Sequence, residues 1–171
     1  AVLDAPESTK HFSSIYRSQP AYGISRVVCY SPKHNLTLTE LELDQISLLL
    51  RTWGEQYTEL SKIDGIKHVL IFENKGEAVG VSNPHPHCQI YANNFVFKTI
   101  ETEANVSREY FLSTGNVLFQ EIIQAEKTDS CRILAENENA IAFVPYFARY
   151  AYEVYVAPKA SHLSIADLTE Q

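Results

Sequence analysis

The chain has only three cysteines among its 171 residues, Cys29, Cys88 and Cys131, and no two of them form a CxxC pair. An odd, scattered set excludes a disulfide framework and points to free thiols in a reducing compartment. No N-terminal signal pattern is legible, and no apolar run is long enough to span a bilayer. The expected setting is cytoplasmic. Basic residues are also scarce: 14 against 21 acidic residues give a net charge of −7, and none gather into a run. That argues against a nucleic-acid or anionic-membrane surface. An anionic substrate would need local donors within a generally negative protein.

What is present is a core-forming composition. Apolar residues make up 45% of the chain, with 10 tyrosines and 8 phenylalanines, so a globular protein is expected rather than a disordered one. The length suffices for one domain with a sound core, or for one and a part.

The stretch around which the rest is organised is Gly80-Val81-Ser82-Asn83-Pro84-His85-Pro86-His87-Cys88-Gln89. Proline fixes its own φ and biases the preceding residue towards extended geometry, so Asn83 and His85 are disfavoured in a helix. Extended chain alternates its faces, which would set His85, His87 and Gln89 on one side. Neither proline can donate to a ladder, so the segment should enter its sheet at a strand start or an edge. Two imidazoles and an amide behind a Gly/Ser/Asn loop suit phosphate or metal; an exposed turn rich in proline and histidine is the plainer reading.

Along the chain, residues 1–24 read as an irregular arm that contains His11. Arg26–Tyr30 reads as a buried strand ended by Ser31-Pro32. Thr39 and Glu42 offer a capping box, followed by Leu43, Ile46, Leu49 or Leu50, Trp53, Tyr57 and Leu60 on one helical face that ends near Asp64-Gly65. Trp53 and Tyr57 are expected to pack in the core. Val69–Phe72 is a second strand, Glu73–Gly76 a turn, and Gln89–Ala92 continues the motif strand. Helix returns over 100–127 with a break at Gly115-Asn116, and Cys131–Phe147 reads as a hairpin turning at Glu136–Asn139. Tyr152–Val156 is a further strand, and Leu163–Leu168 would open a helix. Strand, long helix, strand, turn, strand with an antiparallel sheet is an α+β arrangement. A weak internal repeat sets Val27–His34 beside Val154–Lys159 and His162. The division expected is a first unit at 1–98 with the motif, and at 99–171 connecting helices with a partial second copy. His68, between apolar residues, reads as structural, and His162 as structural or a helix start.

Glu73-Asn74-Lys75-Gly76 together with Gly80–Gln89 resembles the signature of galactose-1-phosphate uridylyltransferases, the transferase branch of the histidine-triad superfamily. Asp4–Ser8, Ser31-Pro32-Lys33-His34, Val144–Ala148 and Val156-Ala157-Pro158-Lys159 are similar to the family as well. Nearly the whole chain is covered, as about the middle half of such an enzyme. Cys88 stands where the family usually has glycine. The resemblance implies a histidine-triad-like sheet with a long helix across it, and two related units per enzyme chain.

It also implies a chemistry. His87, by its place in the motif, would be the nucleophile that accepts UMP from UDP-glucose and passes it to galactose 1-phosphate by a ping-pong route. A neutral imidazole suits the task, because its pKa of about 6.5 leaves it mostly unprotonated near neutrality. Its Nδ1–H must donate to a fixed acceptor so that Nε2 meets phosphorus. Related hydrolases carry a third histidine where this chain has Gln89. An amide can stabilise developing charge on a phosphoryl oxygen but cannot protonate a leaving group, so the leaving group must depart unprotonated, as a sugar phosphate can. Glutamine therefore favours transfer over hydrolysis. Gly80, Val81 and Ser82 are expected at phosphate oxygens and Asn74 near the nucleotide; each read alone is ordinary turn chemistry.

For metals, the resemblance assigns His34 and His85 to a zinc site usually completed by two upstream cysteines, which this chain lacks; structural zinc takes four ligands. Glu103 matches a ligand of a second metal, iron or zinc, although on its helix it also reads as a solvated glutamate. A homodimer with the hexose site completed by the partner chain is implied too, with no nucleic-acid or membrane partner. The alternatives kept open are a nucleotide-sugar or dinucleotide phosphorylase or adenylyltransferase of the same branch, and a non-catalytic nucleotide- or zinc-binding module.

Overall fold

The computed structural model describes residues 15, 16, 19–81 and 83–169. Most of the arm, His11 and Ser82 lie outside them. The chain divides into two units, Ala1–Val96 and Phe97–Gln171.

The first unit is an antiparallel sheet with one long helix on it. Strands β1 (Gly23–Cys29), β2 (His68–Phe72) and β3 (His87–Asn93) lie in the order β1-β3-β2, so the motif strand is central. The register sets Cys29 opposite His87, Val27 opposite Gln89, and Phe72 opposite Gln89 from the other side. Helix α1 (Leu43–Ser61) covers one face. Its fully buried Leu60 meets Ile90 and Ala92 of β3, with Ile24, Val28, Val69 and Ile71 packed around them. Burying each such aliphatic side chain is worth about 1.5–3 kcal/mol. Arg26 of β1 reaches the same helix, its guanidinium 2.6 Å from Glu59.

The expected strand–helix–strand–turn–strand order is what the structure shows. The helix entry differs. The capping box that the structure contains pairs Thr37 with Glu40 and closes a short 3-10 turn at Leu38–Glu40. Leu41 then tucks in, 7% exposed, and α1 starts afresh behind Glu42, whose own box partner is Gln45. Thr39 instead sits inside the 3-10 turn, its hydroxyl 2.9 Å from that of Thr37. The helix also ends at Ser61, short of Asp64-Gly65.

The second unit begins with helices α2 (Lys98–Thr114) and α3 (Leu118–Asp129). Gly115 ends α2 with φ +78°, a left-handed value that an L side chain resists. Strands β4 (Ile133–Glu136), β5 (Ala140–Phe143) and β6 (Tyr155–Pro158) form an antiparallel sheet in chain order. Ile123 of α3 packs against Ile141, Phe143 and Ala157. Glu126 of α3 is 3% exposed, yet its carboxylate accepts from Arg132 Nε at 2.7 Å and from the Tyr146 amide at 2.9 Å. A buried carboxylate is tolerable only when paired and hydrogen-bonded in this way.

The last expected strand starts three residues late, because Tyr152 adopts φ +64° and cannot extend the ladder. Leu163–Leu168 forms a 3-10 turn at Ile165–Asp167 rather than an α-helix. That turn repeats the earlier one in kind: Ser164 and Asp167 make a capping box some residues after a Pro-Lys pair, as Thr37 and Glu40 do.

Candidate active site

Between Phe72 and His87 the chain makes one tight loop. A 3-10 turn at Glu77–Val79 is closed by Gly80, whose φ of +74° favours glycine. Lys75 Nζ reaches the Pro84 carbonyl at 3.5 Å, and the Asn83 side chain accepts from the His85 amide at 3.1 Å, an Asx-turn. Pro86 is fully buried and anchors the end of the loop. The ladder begins at the next residue, so both prolines precede the strand, as their missing donors require.

Alternation on β3 is regular from His87 onwards. Cys88, Ile90 and Ala92 are buried beneath α1, whereas His87, Gln89 and Tyr91 occupy the face away from it. His85 lies in the bend before the strand, so the alternation expected to include it starts two residues later. On the same outer face, Val27 beside Gln89 is 63% exposed.

The His87 ring is fixed from within the motif. Its Nδ1 lies 2.7 Å from the His85 carbonyl oxygen, which can only accept. Nδ1 therefore carries a proton, and in the neutral ring Nε2 is the nitrogen with the free lone pair. Two residues on, the Gln89 side-chain oxygen accepts from the Tyr91 hydroxyl at 3.2 Å.

Cys88 points the other way. Its thiol is fully buried and accepts from the Trp53 indole N–H at 3.0 Å. Burial, opposed by that indole, pushes the Cys88 thiol pKa up and keeps it neutral. The Cys88 side chain thus adds volume under α1, not beside the His87 ring. Trp53, half-buried on α1, makes this contact.

His34 is delivered to His85 by the turn after β1. Ser31, 5% exposed, accepts the Lys33 amide at 3.1 Å and holds the Pro32 corner. The two imidazoles meet edge to face at 4.8 Å between centroids, with their Nδ1 atoms 2.9 Å apart. Converging ring nitrogens suit a shared cation, but they are two donors, and no group of three or more metal-binding side chains exists among the described residues. The described residues do not complete a tetrahedral zinc site.

The other expected residues are dispersed. Asn74 and Gly80 are exposed in the loop, and Val81 is half-buried beside Ser82, which lies outside the described residues. Glu103 is exposed on α2, in the second unit. Sequence reasoning missed the tie that holds Asn74's loop: the Tyr30 hydroxyl donates to Glu73 at 2.7 Å, joining the ends of β1 and β2. Burial, and then this bond, push the Tyr30 pKa well above the ordinary tyrosine range. Both residues end strands and have matching polarity, but nothing in their spacing pairs them.

Comparison with known proteins agrees with the motif. The galactose-1-phosphate uridyl transferase N-terminal domain profile matches residues 3–96. The galactose-1-phosphate uridylyltransferase of Haemophilus influenzae is 38% identical over 170 residues, 98% of this chain and 48% of that protein. The enzyme of that name from Thermotoga maritima is 34% identical over 91% of this chain and 48% of its own length. A solved uridylyltransferase superposes with a TM-score of 0.88 at 34% identity, covering 97% of this chain and 52% of the other. An ADP-glucose phosphorylase from Arabidopsis thaliana shares the fold at TM-score 0.76 and 23% identity. The chain spans about half the length of the curated relatives it matches.

Proposed function

The chain belongs to the galactose-1-phosphate uridyl transferase family, and from that premise we propose that it carries the nucleotidyl-transfer centre of a UDP-glucose–hexose-1-phosphate uridylyltransferase. The observation that carries the reading is the His87 ring, held by the His85 carbonyl at 2.7 Å with Gln89 next on the same face.

In the first step Nε2 of His87 attacks the α-phosphorus of UDP-glucose. An N–P bond forms, the bond to the bridging oxygen breaks, and glucose 1-phosphate leaves with the electron pair as a phosphate oxyanion. It needs no proton, in keeping with the amide of Gln89 in place of an acid. In the second step a phosphate oxygen of galactose 1-phosphate attacks the uridylyl group, and His87 departs as neutral imidazole with its Nδ1 proton retained. Holding the ring in one tautomer removes rotational freedom before reaction. Gln89 stabilises charge on the transferring phosphoryl oxygens. Gly80, Val81 and Ser82 position the phosphates, and Asn74 the nucleotide.

His34 and His85 would supply two nitrogens to a zinc ion, which needs further ligands than the described residues offer, and Glu103 would supply one oxygen to a second metal, iron or zinc; no step above runs through either. The three free cysteines support a reducing, cytoplasmic setting. No helix is long and apolar enough to cross a membrane among the described residues. The homodimer that the resemblance implies belongs to the same reading.

The test is exchange of labelled glucose 1-phosphate into UDP-glucose without galactose 1-phosphate. A ping-pong enzyme exchanges the label; a single-displacement enzyme or a binding module does not. ADP-glucose in place of UDP-glucose separates the adenylyl-transferring alternative.

A further inference from the structure

A carboxamide has two opposite ends. Only the –NH2 end can serve an anionic phosphoryl oxygen; the carbonyl end would repel it. The terminal torsion of glutamine is broad and roughly two-fold, so a free side chain presents either end at little cost. If Gln89 stabilises the transferring group, something must decide which end faces it.

Tyr91 is placed to do so. Two residues along β3 it shares Gln89's face, and its hydroxyl donates to the Gln89 side-chain oxygen at 3.2 Å. The Tyr91 ring is itself pinned. Phe72, opposite Gln89 on β2, meets it edge to face at 4.9 Å between centroids and 83° between planes. A pinned ring holds its hydroxyl near the amide. Donation to the carbonyl end commits the Nε2 protons to the other side, and it polarises the amide so that those protons become better donors.

We propose that Tyr91 is a positioning residue that orients the Gln89 amide, with its –NH2 end turned to the transferring phosphoryl group. This rests on the reading of His87 and Gln89 as the transfer pair. Tyr91 touches no reacting atom, so its effect must pass through Gln89.

The experiment measures the rate of covalent adduct formation from UDP-glucose by rapid quench in the full-length protein. Wild type is compared with Tyr91→Phe, Gln89→Ala and the double variant, with UDP affinity measured for each. Tyr91→Phe removes the donor and keeps the ring contact with Phe72. Loss of one such hydrogen bond in the transition state slows adduct formation about tenfold. The UDP dissociation constant is expected to stay unchanged, and the double variant to be no slower than Gln89→Ala. A Tyr91→Phe rate equal to wild type overturns the inference and leaves the transfer reading intact. So does a double variant slowed by the product of the two single effects, because Tyr91 would then act independently of Gln89, and so does a Tyr91→Phe loss confined to UDP affinity. No adduct in wild type, or Gln89→Ala as fast as wild type, overturns the transfer reading itself, and the role of Tyr91 falls with it.

Discussion

The Nδ1 atom of His87 lies 2.7 Å from the backbone carbonyl oxygen of His85, two residues earlier in the same motif. The proline between them, Pro86, is fully buried, so the acceptor cannot swing away without disturbing the core. The His87 ring is oriented by its own chain, with no second side chain required.

This relationship has a spectroscopic consequence. In neutral protein the His87 ring is expected as the Nδ1–H tautomer, with Nε2 unprotonated and accepting. Nitrogen-15 NMR of the imidazole, assigned through His87→Gln, distinguishes the two. A spectrum with Nε2 carrying the proton would contradict the geometry.

Cys88 and Trp53 give a test of packing that is separate from chemistry. Cys88 is expected to resist alkylation in the native state, while the exposed Cys29 and Cys131 react, as mass spectrometry after brief iodoacetamide treatment will show. Cys88→Gly removes the Trp53 contact and leaves a void, costing about 1–2 kcal/mol in urea unfolding. Turnover per folded molecule should stay near wild type, because the side chain faces α1.

Much of the fold was legible because its signals were local. The spacing of Leu49, Trp53, Tyr57 and Leu60 marked α1, and the alternation after His87 marked β3. Errors fell where two local devices competed. Thr37 and Thr39 both precede an acidic residue at capping distance, and the box at Thr37 is the one formed, because Leu41 must bury itself before the helix begins. At the site, strand alternation was enough to set His87 and Gln89 on one face and Cys88 on the other, under α1. The His34–His85 approach and the Tyr30–Glu73 bond join residues 51 and 43 positions apart, and only folding brings them together.

Acid stability has an identifiable contributor in the second unit. Glu136 accepts hydrogen bonds from Lys127 and Lys159, which hold its carboxyl below the ordinary 4.5. A lowered folded value means that this contribution is fully present above pH 4.5 and lost as pH falls through the lowered pKa. Glu136→Gln should therefore flatten part of the fall in melting temperature between about pH 5 and pH 3. An unchanged slope would show that the exposed network adds nothing measurable.

The paired imidazoles make a prediction about metal. If His34 and His85 ligate one zinc ion, His34→Ala and His85→Ala will lower bound zinc together in the full-length protein, as measured by plasma emission after dialysis. Equal zinc in wild type and both variants would remove them from the ligand set. His34→Ala should leave the His87 tautomer unchanged, since its anchor is a backbone carbonyl.

The most direct test of the central claim is the intact mass of the full-length protein after brief mixing with UDP-glucose and no acceptor. The account predicts a gain of one uridylyl group, mapped to His87, absent in His87→Ala and discharged by galactose 1-phosphate. UDP-glucose bound and turned over with no covalent adduct, or an adduct that persists in His87→Ala, would contradict it.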